Sequence, residues 1–207
     1  MADLESNNMI MQSSLHYLKG QCSGIAPANA ELGLTVTEAS HGCYLNLRGD
    51  ANNADFAAGI QTVLGLSLPT VPGTYHSHGS TMACWLGPDE WMLVSDQTAE
   101  TLQAALRYAL KGHISIVDVT GGQTQLNLRG SSVPLVLKKS GGYDFEVWSV
   151  DDASANRCVQ TNFAKATALV SSNADGSFDL TIRRSFADYI AQWLLDAGKE
   201  HGCLIQG

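Results

Sequence analysis

The pentapeptide LNLRG stands at residues 45–49 and recurs unchanged at residues 126–130. Five identical residues repeated within a chain of 207 point to a duplicated unit rather than coincidence. In a strand, Leu-x-Leu turns its leucines to one face and its Asn and Arg to the other. The closing glycine lets the chain turn away.

The surroundings of the two copies agree in order. After the first copy, Phe56, Ile60, Val63 and Leu64 recur at helical spacing, and Pro69 marks the end of that unit. Residues 81–96 read as a hairpin around the turn chemistry of residues 87–90. A four-residue loop there would set Leu86 opposite Trp91 and Trp85 opposite Met92, with the two tryptophans on opposite faces. Residues 96–112 are the clearest helix. Asp96 or Thr98 can cap its start, Leu102, Ala105, Leu106, Ala109 and Leu110 form an apolar stripe, and Gly112 suits a left-handed stop.

After the second copy come a short helix with Pro134 in its first turn, strands at 157–172 and 177–185 joined by a turn at 173–176, and a last helix at 185–198. Ser185 and Asp188 resemble a capping pair for that helix. The copies lie 81 residues apart, and the last helices of the two runs about 87 apart. A surface insertion of a few residues accounts for the drift. Ahead of both, Leu32, Leu34 and Val36 alternate as in a strand, and residues 114–119 supply a further strand. The expectation is an α+β fold: two duplicated ferredoxin-like β-α-β-β-α halves packed around a shared core. An N-terminal arm covers residues 1–30. The domain covers residues 31–207, with halves at about 31–112 and 113–200.

Composition narrows the function. Hydrophobic residues make up 44 %, enough for a packed interior, whereas charged residues make up only 15 % against about a quarter in typical soluble chains. A surface with few charges suits coverage by another protein. The net charge of −8 argues against nucleic acid and anionic membranes, which need clustered Lys and Arg. No run of about 18 apolar residues exists, and the N-terminus reads as carrying no signal peptide, so a cytoplasmic location is expected. Five cysteines without any C-x-x-C spacing read as buried, reduced thiols.

The stretch VDVTGGQTQLNLRG at 117–130 resembles the folate-binding domain of the aminomethyltransferase superfamily. More specific are WLGPDEWMLV at 85–94, RCVQTNFAKATALV at 157–170 and RRSFADYIAQWLLDAG at 183–198. These look like hallmarks of the gamma subunit of heterotetrameric sarcosine oxidase, and the resemblance spans roughly residues 32–200. It implies a non-catalytic structural subunit, inactive alone, with alpha, beta and delta partners and chiefly the large alpha subunit as its neighbour.

In such a complex the alpha chain is expected to hold NAD and tetrahydrofolate, the beta chain FAD and covalent FMN, and the delta chain zinc, with no cofactor on gamma. The complex would demethylate sarcosine to glycine, hydrogen peroxide and a one-carbon unit, as formaldehyde or methylene-tetrahydrofolate. Two departures are visible: a longer, more polar arm, and Gly122 and Gln123 where more polar or basic residues are expected. They leave open the small subunit of another N-methyl amine dehydrogenase, such as N-methylglutamate dehydrogenase. A free-standing folate-binding protein is a third reading, for which Cys158 is the nearest candidate cysteine, without the Lys-Gly-Cys context of such proteins.

No catalytic, cofactor-binding or metal residue is assigned. His76 and His78 share one face if extended, yet no Asp, Glu or Cys near them in sequence completes a metal site, and a solvated loop is expected. Asp118 reads as a buried carboxylate capping the next turn. Arg183 and Arg184 adjoin a helix N-terminus, where positive charge is unfavourable, so an acid is expected nearby: Asp179, Asp188, or one on a neighbouring chain. Helix N-termini after the LNLRG copies could hold an anion, but a strand–turn–helix corner is the simpler reading. The tryptophans are core or interface material.

Overall fold

A computed structural model describes residues 13–24, 32–40, 42–145, 148 and 156–206. Among these residues are two β-sheets and four α-helices in four layers. The five-stranded sheet has the order β4-β5-β6-β3-β7, and the seven-stranded sheet the order β1-β12-β2-β8-β11-β10-β9. The strands of the first are β3 (Cys43–Arg48), β4 (Tyr75–His78), β5 (Thr81–Gly87), β6 (Glu90–Ser95) and β7 (Ser115–Asp118). Those of the second are β1 (Cys22–Ser23), β2 (Leu34–Ala39), β8 (Gln123–Arg129), β9 (Cys158–Phe163), β10 (Ala166–Ser172), β11 (Phe178–Arg183) and β12 (Cys203–Gln206). The helices are α1 (Ala54–Leu64), α2 (Ala99–Ala109), α3 (Val133–Ser140) and α4 (Ala187–Ala197).

Alternation sets the layers. Cys43, Leu45 and Leu47 on β3 join Trp91 and Leu93 on β6 under Phe56 and Ile60 of α1 and Leu102 and Leu106 of α2. Leu126 and Leu128 on β8 join Leu180 and Ile182 on β11 under Val136 of α3 and Ile190 and Leu194 of α4. Each such side chain contributes about 1.5–3 kcal/mol on leaving water. The opposite sheet faces meet through a much smaller apolar cluster: Tyr44, Tyr75, Cys84, Met92, Val94, Cys158 and Leu169. A core shared between the two sheets is therefore present, but the larger cores lie between each sheet and its own helices.

The run β3-α1-β4-β5-β6-α2-β7 has the same order as β8-α3-β9-β10-β11-α4-β12. Three strands, not two, separate the helices in each run. In the first, β4 places His76 and His78 on a strand and not in a loop. It is an edge strand with only Tyr75 buried, so no alternation announced it. In the second, residues 157–172 break into β9 and β10 at the two-residue turn Ala164-Lys165, where Ala164 holds φ 52°. Neither Gly nor Asn marks that turn.

Three further local expectations change. A bulge between Trp85 and Gly87 sets Trp85 opposite Trp91 and Cys84 opposite Met92, so the tryptophans lie on the same face. One extra residue in a strand flips every assignment beyond it. Both faces are nonetheless covered, one by helices and the other by the second sheet. The last helix begins at Ala187 after a 3-10 turn at Arg184–Phe186, with no side-chain cap from Ser185. Thr98, not Asp96, caps α2 through the Thr101 N–H.

The runs differ at one place. β7 pairs with β3 directly, whereas β2 lies between β8 and β12, antiparallel to the first and parallel to the second. Of the arm, residues 13–24 pack on the seven-stranded sheet: Leu15 and Leu18 are buried in its core, and Cys22 and Ser23 pair with Leu204 and Cys203. The rest of the arm lies outside the described residues. The sheets are stitched at the β4–β9 corner, where Tyr75 N donates to Asn156 O at 3.0 Å and Cys158 N to Gly73 O at 3.0 Å.

Candidate functional site

The polar side chains of both LNLRG copies face the space between the sheets, and both engage carboxylates of this chain. In the first, Asn46 Nδ2 donates to Glu90 Oε1 at 2.7 Å and Arg48 Nη2 to Glu90 Oε2 at 2.7 Å. In the second, Asn127 Nδ2 donates to Asp179 Oδ1 at 2.7 Å and Arg129 Nη2 to Asp175 Oδ2 at 2.7 Å, while Arg129 Nε also reaches Asn127 Oδ1 at 2.9 Å. Two hydrogen bonds from Ser177 hold the Asp175 carboxyl below the usual carboxylate range against the opposing effect of burial, and the Arg129 guanidinium adds to them. The anion that each motif attracts is thus an internal side chain. The helix after the first copy is closed by its own cap, with Phe56 N donating to Asn53 Oδ1 at 3.0 Å.

A cavity of about 410 Å³ lies between the sheets. Asn46, Glu90 and Met92 line it from one side, and Gln160, Leu169 and Thr181 from the other. Among the described residues its ionisable lining groups are Glu90 and Arg183. Each Glu90 oxygen accepts one hydrogen bond from this chain, which pins the carboxylate to β3. Nearby on β8, opposite Thr181, Gln125 is buried with its Oε1 lacking a hydrogen-bond partner.

The remaining candidates fall elsewhere. His76 Nδ1 sits 2.7 Å from Ser67 O, and His78 is exposed. Among the described residues no group of three His, Cys, Asp or Glu could hold a metal ion. Asp118 does cap the next turn, accepting from Thr120 N at 2.9 Å, but it is exposed and not buried. It lies at the mouth of an edge strand, beyond the apolar run that suggested burial. Asp179 is taken up by Asn127 and Asn173, and Asp188 by Gln192, so neither is joined to the arginine pair by any bond described. Among the described residues, Arg183 is exposed and has no side-chain hydrogen bond or ion pair.

Two clusters escaped the sequence reading. Glu38 accepts from the Ser13 hydroxyl, the Ser14 hydroxyl and backbone, and Thr124 Oγ1 at 2.9 Å. Burial opposes its charge, yet these bonds outweigh it and keep its carboxyl below its ordinary value of 4.5. The signal was available: Glu38 continues the parity of Leu34 and Val36, a charge placed on a core face. The second cluster is Cys84 and Cys158, one from each sheet, both fully buried in the apolar cluster between the sheets. The neighbouring Cys158 thiol, then burial, raises the Cys84 thiol well above its usual range. Cys158 also donates to Thr74 O at 3.0 Å. Sequence spacing carries no sign of this pair. Of the five cysteines, four are buried, while Cys22 is exposed against expectation because its strand lies at the sheet's edge.

Among the described residues no helix is long and apolar enough to cross a membrane. Residues 48–200 match the model of the sarcosine oxidase gamma subunit family. The chain is 28 % identical to sarcosine oxidase subunit gamma of Corynebacterium sp. (strain U-96), covering 84 % of each chain. It is 28 % identical to that of strain P-1, covering 95 % of this chain and 97 % of the relative. Among solved structures it matches a chain of the heterotetrameric sarcosine oxidase from Corynebacterium sp. U-96 in complex with pyrrole 2-carboxylate. That match has a TM-score of 0.73 and 27 % identity, over 83 % of this chain and 87 % of the other. The glycine cleavage system aminomethyltransferase T of Bartonella henselae shares the fold, with a TM-score of 0.57 at 14 % identity, over 85 % of this chain and 48 % of that one. With three quarters of its length matched by one family model and its fold matched by a solved relative, this chain belongs to the sarcosine oxidase gamma subunit family.

Proposed function

We propose that this chain is a non-catalytic structural subunit of a cytoplasmic, heterotetrameric sarcosine oxidase, inactive alone and docked chiefly on the large alpha subunit beside beta and delta. The match to a chain of the heterotetrameric enzyme, over 83 % of the sequence at TM-score 0.73, carries this reading. The chemistry of the chain supports it. The Asn and Arg of both LNLRG copies are spent on internal carboxylates, and both oxygens of Glu90, which lines the inter-sheet cavity, accept from this chain. FAD, FMN, NAD, zinc and tetrahydrofolate are assigned to the other subunits. Cys158 is fully buried and donates to a backbone carbonyl, which weighs against a free-standing folate protein built on that thiol.

The arm is taken as residues 1–30 and the domain as 31–207. The equal order of elements supports reading about 31–112 and 113–200 as copies of one unit, with β2 given over to the other sheet.

The test is purification of the tagged chain from its host. Recovery with flavin-bearing large subunits and sarcosine-dependent peroxide production by the assembly is expected, and no turnover by the chain alone. Recovery as a single active species would overturn the proposal. Assaying the assembly with N-methylglutamate beside sarcosine decides between the two amine oxidases.

A further inference from the structure

The loop between β7 and β8 carries Gly121 and Gly122 in the 3-10 turn Thr120–Gly122, which packs against the 3-10 turn Arg184–Phe186 ahead of α4. Together with Ser13 and Ser14 of the arm, these turns enclose a shallow concavity of about 580 Å³. Among the described residues its lining consists of the two glycines, Arg183, Arg184 and three serines, without a single acid. In a chain of net charge −8 with only 12 Lys and Arg, two adjacent arginines form a marked local reversal of sign. Arg183 has no partner among the described residues, and both arginines lie at the positive end of a helix, where they are disfavoured. The adjoining concavity adds Lys19, and its one acid, Glu38, is already held by Ser13, Ser14 and Thr124. Beside them, Phe186 is 43 % exposed.

The glycines supply the decisive observation. Neither has positive φ, and a Cβ built on either meets nothing within 4 Å among the described residues. Neither backbone conformation nor packing among those residues therefore calls for glycine here. Replacing such a glycine by alanine ordinarily gains about 0.4–1 kcal/mol by restricting the unfolded chain. The pattern makes sense if something outside the chain approaches that backbone closely.

We propose that the surface centred on Gly121, Gly122 and Arg183 receives an extended, carboxylate-bearing segment of the large partner subunit. The segment's backbone lies along the glycine pair, its carboxylate meets the guanidinium of Arg183, and an apolar residue covers Phe186. This assignment rests on the assembly reading above and names the face that assembly uses.

The experiment compares tagged wild-type chain, Gly122→Leu, Arg183→Glu and a control, Tyr108→Glu, expressed in the host in place of the native chain. Tyr108 is 85 % exposed on α2, across the molecule on the helix layer of the other sheet. Melting curves of the isolated variants should match wild type, since positions 108, 122 and 183 are all exposed. Recovery of the large subunit should fall at least about tenfold for Gly122→Leu and Arg183→Glu, the scale of a steric block or of a repulsive charge set into an interface. It should stay unchanged for Tyr108→Glu. Wild-type recovery should also weaken as salt rises, and a neutral Arg183→Ala variant should lose part of that dependence. If wild type assembles and both surface variants assemble equally well, this face is not the dock, and the assembly reading stands. If wild type brings down no large subunit, the assembly reading itself fails and takes this proposal with it.

Discussion

The two LNLRG copies begin from the same five residues and end with different neighbours. In the first, Asn46 and Arg48 share one carboxylate, Glu90, across the adjacent strand. In the second, Asn127 and Arg129 divide their bonds between Asp179 and Asp175, and Arg129 braces Asn127 as well. Their glycines differ in kind. A Cβ on Gly49 would strike the ring of Phe56, whereas Gly130 holds φ 125° and a Cβ there would strike the backbone of Gly33 on the approach to β2. The motif specifies a strand, a turn and a polar inner face. What that face touches depends on which strand the rest of the chain lays beside it.

The largest test of the difference between the two layers, each a sheet with its helices, is in their aromatic anchors. Trp91 is fully buried in the first half, 6.3 Å from Phe56 by ring centroid, with Nε1 donating to Pro69 O at 2.8 Å. Trp91→Ala should cost about 3–5 kcal/mol in urea unfolding. Trp148 of the second half stacks on Phe178 at 6.2 Å and shares its cluster with Tyr143 and Phe145. Trp148→Ala should cost less, about 2–3 kcal/mol, because the site retains three rings able to close in. Equal losses would contradict the contrast.

Next come the glycines. Gly130→Ala should destabilise by about 2–3 kcal/mol, since positive φ and a backbone clash cannot both relax. Gly49→Ala should cost about 1–2 kcal/mol, because a tilt of the Phe56 ring can absorb part of the overlap. Reversal of that order in chemical denaturation would mean that the Phe56 corner is the more rigid.

A smaller effect separates the sheets by pH. Glu38 and Asp175, both on the seven-stranded side, have carboxyls held below their ordinary values of 4.5 and 3.8. A depressed folded-state pKa gives stability that is present above the unfolded value and lost as pH falls through the folded one. Acidification below about pH 4 should therefore loosen residues 13–24 and the 173–177 turn, read as amide exchange, before the five-stranded sheet opens. Glu38→Gln should remove much of the pH dependence of the arm. Uniform loss of protection across both sheets would refute this.

The smallest expected effect is in the clamps. Double-mutant cycles should give about 1 kcal/mol for Asn46 with Glu90, whose side chain is 26 % exposed, and about 0.5 kcal/mol or less for Arg129 with Asp175, exposed by 59 % and 49 %. Stronger coupling in the second pair would overturn the view that exposure governs them.

Much of the fold was legible in the residues. The leucine alternation of β3 and β8, the apolar stripes of α1, α2 and α4 and the Pro134 start of α3 each encode a buried face through a local period. β4 was not legible, because an edge strand with one buried residue has no period to display. The Trp85–Trp91 register was not legible either, since a bulge of one residue leaves no mark in composition. As for the candidate site, residue parity put Asn and Arg of LNLRG on the inner face, but nothing local named Glu90, Asp175 and Asp179 as their partners. The thiol pair Cys84–Cys158 spans 74 residues and two sheets, and no spacing rule reaches across that distance.

By itself the sequence determined the strands and helices with strong periods, the repeated strand–helix unit, the acidic surface with its few charges and the resemblance to the gamma subunit family. Each is written in neighbours along the chain, where hydrophobic periodicity and capping act over a few residues. The tertiary structure alone decided that β2 leaves its own run to lie between β8 and β12, that the arm is clasped at Glu38, that the LNLRG arginines are spent internally, and that Gly121 and Gly122 face open space beside Arg183. These are contacts between residues far apart in sequence, set by which surfaces bury the most apolar area when two sheets and four helices pack at once.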